Sequence, residues 1–89
     1  METITHPTLV QLVAAGAVRV VIAVGQPGGW TLLVRYGLAE RALAAQRSKQ
    51  IRVFRKLDTL VFYLQQIGAC RFEVDASGFM DASKKLRES

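Results

Sequence analysis

The sequence contains few of the residues that cross-link small folds or bind metals. Its 89 residues include one cysteine, one histidine and two prolines. A single cysteine, Cys70, excludes an intramolecular disulfide framework and a zinc site built from cysteines. Because Cys70 falls in a predicted strand, we expect a buried and inert thiol.

Long apolar runs and a basic leader segment are also missing. The most apolar run, Val18–Val24, is far too short to cross a bilayer, and Arg19 interrupts it. The first eight residues, METITHPT, carry an acid where a secretion signal has basic residues followed by an apolar run. We therefore expect a cytoplasmic protein with no membrane partner.

Residues suited to catalysis are not grouped along the chain. His6 stands beside Pro7 at an N-terminus expected to fray, far in sequence from Cys70. Glu73 and Asp75 share a predicted strand face, an arrangement common on solvated strands. The glycine-rich segment 25–29 lacks the spacing of a phosphate loop, and a strand follows it where such a loop needs a helix. We expect no enzymatic activity, no cofactor and no metal.

The apolar fraction, 51%, is high for so short a chain. Domains of this size bury only about two-thirds of their unfolded surface, so a monomer leaves apolar surface exposed. We therefore expect a single domain over residues 1–89 that forms a homodimer. The aromatic candidates for a dimer or partner interface are Phe62, Trp30 and Tyr36.

Two β-rich runs, Ala17–Val24 and Trp30–Tyr36, flank a Pro-Gly turn and predict an antiparallel hairpin. In a symmetric register Arg19 lies opposite Arg35, and the two like charges repel each other. A bound phosphate, a neighbouring acid such as Glu73, or splaying into solvent would each relieve this repulsion. The same register makes every inward pair apolar: Val24–Trp30, Ile22–Leu32, Val20–Val34 and Val18–Tyr36.

Helical signals predict two further elements. Thr8, an apolar run and a terminating glycine predict a short helix over residues 8–15. Apolar residues at helical spacing predict the main helix over residues 57–67. Phe62 falls outside its apolar stripe, so we expect this ring to be exposed.

The intervening and final segments are predicted mainly as strands. Gly37–Arg47 suits a helix by composition, but its length between two turns favours a third hairpin strand. Ile51–Phe54 would then form a short fourth strand and complete a hairpin region over residues 17–54. Alternation predicts a last strand over residues 70–75, with Cys70, Phe72 and Val74 inward, and a flexible tail over residues 78–89.

These elements predict an α+β fold. We expect an antiparallel sheet of four to five strands, built from β-hairpins and packed against one main helix, with a short N-terminal helix in addition.

Positive charge is concentrated between Arg35 and Lys56, where seven basic residues accompany the single acid Glu40. Such a segment can neutralise phosphates and bind in a salt-dependent way. It can also serve as a solvated face that keeps an apolar protein in solution. The crowding of charge favours anion binding, with DNA as the expected partner. The predicted phosphate contacts are Arg41, Arg47, Lys49, Arg52, Arg55 and Lys56, with Arg19 and Arg35 as secondary candidates.

Several segments carry a family resemblance: GQPGGW (25–30), LVRYGLAERALAAQRS (33–48), FRKLDTLVFYLQQIG (54–68) and RFEVD (71–75). Together they resemble the small ParC-like partition-associated proteins of bacterial plasmids and integrative elements. The resemblance covers residues 16–75. It implies a role near plasmid segregation and maintenance, and it implies no catalytic residue.

Two hypotheses follow. The first is a non-enzymatic accessory protein of plasmid partition that binds DNA as a homodimer through the basic hairpin surface. The alternative is a protein-interaction module, either an adaptor to a partition or transfer protein or an antitoxin- or repressor-like regulator. In that case the exposed aromatic residues would matter more than the arginines.

Overall fold

The computed structural model describes residues 1–80 and has the predicted α+β architecture, a five-stranded sheet with two helices. Both helices pack against one face of the sheet, where they share a single apolar core. The strands follow the order β1-β4-β3-β2-β5 across the sheet. In chain order the elements are β1 (Thr3–Ile4), α1 (His6–Ala14), β2 (Val18–Gln26), β3 (Gly29–Tyr36), β4 (Ala39–Leu43), α2 (Leu57–Ile67) and β5 (Glu73–Asp75).

The sheet is mixed, which corrects the prediction of an antiparallel sheet. β2, β3 and β4 form an antiparallel meander, while β1 pairs with β4 and β5 pairs with β2 in parallel. Tight turns can join only antiparallel neighbours, whereas a parallel pair needs a longer crossover. Helix α2 lies in such a crossover before β5, so the chain returns beside β2 in the same direction.

The β2–β3 hairpin lies one residue away from the predicted symmetric register. Gln26 pairs with Gly29, so Pro27 and Gly28 alone form the turn. Gly28 has φ +88°, a value that the second central position of a Pro-Gly turn requires. A shift of one residue moves a whole strand to the opposite face.

The shift exchanges the two faces of β2. Val21 and Ala23 are buried in the core, opposite Val34 and Leu32. The inward placement predicted for the alternate β2 residues is therefore wrong: Val20, Ile22 and Val24 lie on the other face. On β3 the predicted inward residues Trp30, Leu32 and Val34 are buried, and an irregularity between Val18 and Val20 restores the predicted pair Val18–Tyr36.

The two helices begin and end for clear local reasons. α1 starts two residues earlier than predicted, because Thr5 is the extended N-cap and Pro7 lies in the first turn, where its missing N–H costs no hydrogen bond. α2 has the predicted bounds and ends at Gly68, whose φ of +87° closes the last turn. Neither helix is long and apolar enough to cross a membrane, and the structure describes no other helix.

The segment after β3 follows the prediction in part. β4 confirms the strand alternative for residues 37–47, and Gly37 at φ +56° allows the tight turn before it. Residues 51–54 form two isolated bridges, Ala44–Ile51 and Trp30–Phe54, in place of the predicted fourth strand.

The C-terminal segment differs more from its prediction. β5 spans only Glu73–Asp75, and Cys70 is exposed, so the predicted buried thiol is wrong. Phe72 packs against the core, whereas Val74 is exposed at the sheet edge. Residues 78–80 do not form a loose tail, since Phe79 stacks on Trp30 with ring centroids 4.9 Å apart. The rest of the predicted tail, residues 81–89, lies outside the described residues.

Candidate functional site

The predicted basic segment forms a loop, residues 45–56, that connects β4 to α2 and is called the basic loop below. Its tip is closed by two backbone hydrogen bonds, from Ala45 N to Gln50 O (2.8 Å) and from Lys49 N to Ala45 O (2.9 Å). Lys49 has φ +64°, which costs a non-glycine residue roughly 1–2 kcal/mol. The turn is therefore held in a defined and slightly strained shape.

The C-terminal half of the basic loop is fixed to the sheet. Arg52 N donates to Leu43 O at 2.9 Å, and Phe54 exchanges two hydrogen bonds of 2.8 Å with Trp30. The Phe54 side chain is buried in the core. Because backbone and side chain are both anchored, the basic residues on either side of Phe54 project from a fixed base.

Four basic side chains of this loop are available to a ligand. Each is exposed, and none forms a hydrogen bond or ion pair with another side chain or backbone group in residues 1–80. The nearest acid in sequence, Asp58 in the first turn of α2, forms no ion pair within the same range. The four residues are Arg47, Lys49, Arg55 and Lys56.

Arg52 occupies a different environment in the same loop. Its guanidinium carbon lies 4.5 Å from the centroid of the Phe54 ring and 5.3 Å from that of Tyr63. A guanidinium over an aromatic face gains cation–π attraction and keeps its edge donors free. Arg52 is exposed, so it can add a directed contact beside the four unpaired charges.

A histidine–tyrosine contact that no local sequence pattern predicts supports this arrangement. Tyr63 on α2 is only 9% exposed, and its hydroxyl lies 2.8 Å from Nδ1 of His6. The two residues are 57 positions apart, so no local pattern could reveal the contact. His6 begins α1 and is not part of the frayed N-terminus predicted for it. The contact ties α1 to α2 beneath the basic loop.

Burial raises the pKa of Tyr63 above its ordinary value of 10.0, and the charge of Arg52 acts in the opposite direction. The folded state therefore holds the hydroxyl proton of Tyr63 more tightly than the unfolded state does. The resulting stabilisation is complete below the unfolded pKa and is lost as pH rises through the folded pKa.

Tyr63→Phe should consequently flatten the alkaline stability profile. We expect the melting temperature of the native protein to fall more steeply than that of the variant above about pH 10, where the unfolded tyrosine titrates. Thermal unfolding measured across that range tests this, with Tyr36→Phe as the matched loss of a phenol elsewhere. Parallel curves for the native protein and Tyr63→Phe would contradict the assignment.

The arginines predicted on the sheet are engaged by protein groups. Arg35 pairs across the strands with Val20, so the predicted opposition of Arg19 and Arg35 is wrong. The Arg35 Nε donates to Glu40 Oε2 at 2.8 Å, and an Arg19 Nη2 donates to Gly37 O at 3.1 Å.

Arg41 is similarly engaged, through a pairing that depends on β1. Its Nη2 lies 2.7 Å from Glu2 Oε1, and its Nη1 donates to the Glu40 backbone carbonyl at 3.1 Å. Exposed pairs of this kind stabilise a fold by at most about 1 kcal/mol. They nevertheless hold the Arg41 side chain against protein groups, whereas the four basic side chains of the basic loop have no such partner within residues 1–80.

The three predicted interface aromatics have different environments. Trp30 is 7% exposed, stacks on Phe79 and belongs to the core, where it is not accessible to a partner. Tyr36 is partly buried against the same core. Phe62 is 65% exposed on α2, as its position outside the apolar stripe predicted.

A second apolar surface follows from the hairpin register and was missed by sequence reasoning. The sheet face opposite the helices, called the open face below, carries half-buried aliphatic residues that no described element covers. Exposed Ile51 and Val53 from the basic loop flank it. Together with Met1, they line a shallow cavity of about 280 Å³. The central open-face residues are Val20, Ile22, Val24 and Leu33.

The described part of the chain, residues 1–80, contains no group of three or more His, Cys, Asp or Glu residues that could hold a metal ion. The chain matches no family model, no curated protein and no solved structure.

Proposed function

We propose that this chain is a non-enzymatic, cytoplasmic accessory protein of plasmid partition or maintenance that binds DNA through the basic loop. One observation carries the proposal: four basic side chains are exposed and unpaired within residues 1–80, on a loop whose backbone is fixed to the sheet. Because the loop backbone is already fixed, binding a row of phosphates costs it little conformational entropy. The resemblance to ParC-like proteins supplies the cellular context.

The proposed contacts are to phosphates. The basic loop presents irregular backbone with two isolated bridges, whereas base reading commonly uses a helix or a two-stranded ribbon in the major groove. Phosphate contacts position a protein on the duplex without reading its sequence. We therefore assign Arg47, Lys49, Arg55 and Lys56 to electrostatic contact, with Arg52 beside them.

We further propose that the protein acts as a homodimer. The open face leaves apolar surface that a second subunit would remove from water. A two-fold dimer carries two basic loops, which doubles the number of phosphates that can be neutralised. The open face replaces Trp30 as the favoured interface, because Trp30 is buried.

Fluorescence anisotropy with labelled duplex and single-stranded DNA tests the proposal across a salt series. Four neutralised phosphates predict a slope of log K against log [salt] of about −3.6 for a duplex, and a dimer that uses both loops predicts about twice that value. Light scattering on the same sample gives the oligomeric state. An absence of binding to either form of DNA at about 50 mM salt, where counterion release favours binding, would refute the proposal.

The exposed Phe62 ring favours a second candidate function, docking to a partition or transfer protein or a regulatory role of the antitoxin or repressor kind. A pull-down from cells that carry the plasmid, with and without nuclease, separates the two functions. DNA-mediated partners disappear after nuclease treatment, whereas a directly docked protein persists and is lost with Phe62→Ala.

A further inference from the structure

We propose a second binding site, for a small molecule that joins an anionic group to a short apolar body. The site is the open cavity between α1, the start of β2 and the chain that follows α2. Its volume is about 400 Å³, within the range of roughly 300–1,000 Å³ that holds small ligands. Apolar walls come from α1 and β2, through Val13, Val18 and Val21.

Two arginines give this cavity its charge preference. Arg19 and Arg71 both line it, and both also line an adjoining hollow of about 240 Å³, so they stand where the two spaces meet. Arg19 donates one hydrogen bond to Gly37 O, at 3.1 Å. A guanidinium has five N–H donors, so the others can serve a ligand. Arg71 forms no hydrogen bond or ion pair with another side chain in residues 1–80.

No acid neutralises this pair within the described chain. Glu73 lines the adjoining hollow, but it forms no ion pair with either arginine in residues 1–80. A carboxylate or phosphate bound beside these guanidinium groups would accept charge-assisted hydrogen bonds, which are about twice as strong as neutral ones. Apolar walls beside two cations that no acid neutralises within residues 1–80 match a ligand with an anionic head and a short apolar body.

The cavity is distinct from the basic loop. α2 starts directly after the basic loop and ends at Gly68, which lines the cavity. Its 11 residues separate the two places by about 16 Å of helix rise. A concave site with apolar walls suits a small molecule better than a row of backbone phosphates. The inference therefore does not rest on DNA binding, and each can fail without the other.

Cys70 lies in the wall of the same cavity and is the only cysteine of the chain, so it reports on occupancy. Its thiolate displaces iodide from iodoacetamide, and the rate of that reaction measures access to the cavity. Hexanoate, inorganic phosphate and neutral hexanol serve as probes. We expect hexanoate to slow alkylation saturably, by about tenfold at ten times its Kd, with phosphate weaker and hexanol ineffective.

The double variant Arg19→Gln with Arg71→Gln should lose this protection, while Arg55→Gln in the basic loop should keep it. Both replaced side chains are exposed, so the fold should tolerate the change, and circular dichroism checks it. Amide shifts of the native protein with hexanoate give a second measurement that needs no variant, expected at residues 18–21 and 68–72. Equal protection by hexanol, equal protection in the double variant, or the absence of both protection and shifts would overturn the proposal.

Discussion

Replacing Arg47, Lys49, Arg55 and Lys56 together by glutamine is expected to lower DNA affinity by roughly two to three orders of magnitude at about 50 mM salt. Each side chain is exposed and unpaired within residues 1–80, so its loss removes a phosphate contact and leaves the fold intact. The salt slope should fall in magnitude by about 3.6 for each basic loop that contacts the DNA, because each lost contact removes about 0.9. Anisotropy measured over the same salt series gives both quantities.

The matched control removes the same formal charge from other places. Four arginines that lie on the sheet or beside it are changed to glutamine: Arg19, Arg35, Arg41 and Arg71. The first three of them contact protein groups. We expect this variant to retain most of the salt slope. Equal losses in the two variants would show that net charge alone determines binding, and the assignment to the basic loop would be wrong.

Gly29→Ala is expected to destabilise the protein by roughly 2–4 kcal/mol. A Cβ at this position would lie 2.6 Å from the Phe54 carbonyl oxygen and 2.7 Å from a Val53 methyl group. The first of these is a backbone atom, so the clash can be relieved only by moving the basic loop away from β3. The pair of 2.8 Å hydrogen bonds between Trp30 and Phe54 would then be strained or lost.

Thermal unfolding tests this prediction, with Gly16→Ala as the control. Gly16 has φ +70°, and a Cβ there meets nothing within 4 Å, so its cost is limited to backbone strain of about 1–2 kcal/mol. Each kcal/mol lowers the melting temperature of a domain of this size by about 4–8 °C. A Gly29→Ala protein as stable as Gly16→Ala would mean that the basic loop is not held against β3.

The main helix was predictable because its signals are local. Apolar residues at helical spacing and Gly68 at the end determine both bounds of α2, and tertiary contacts only bury the stripe. The strand over residues 39–43 was predictable for a related reason, since two turns limit its length.

The hairpin register was not predictable by pairing apolar residues. β2 is apolar on both faces, so a one-residue shift leaves valine, isoleucine or alanine on either side. Only the choice of Pro27 and Gly28 as a two-residue turn decides between the registers. The register set by this turn buries Ala23 and leaves Val20, Ile22 and Val24 on the open face. No other sequence pattern predicts that this surface is uncovered.

The candidate site was predictable in position and not in detail. A count of charges located the basic loop, but the partners of individual arginines depend on distant chain segments. Arg41 meets Glu2 because the two-residue strand β1 pairs with β4 in parallel, and so short a strand has no periodic signal. Tyr63 meets His6 only after both helices have packed on the sheet.

Amide chemical-shift mapping shows whether DNA contacts the basic loop, as we propose. Duplex DNA is added to the labelled native protein at about 50 mM salt, and the titration is repeated at about 200 mM, where phosphate contacts weaken. We expect shifts concentrated at residues 45–56 that fade at the higher salt. Unchanged amides over that range, with shifts confined to the open face or to the helix around Phe62, would contradict the proposal.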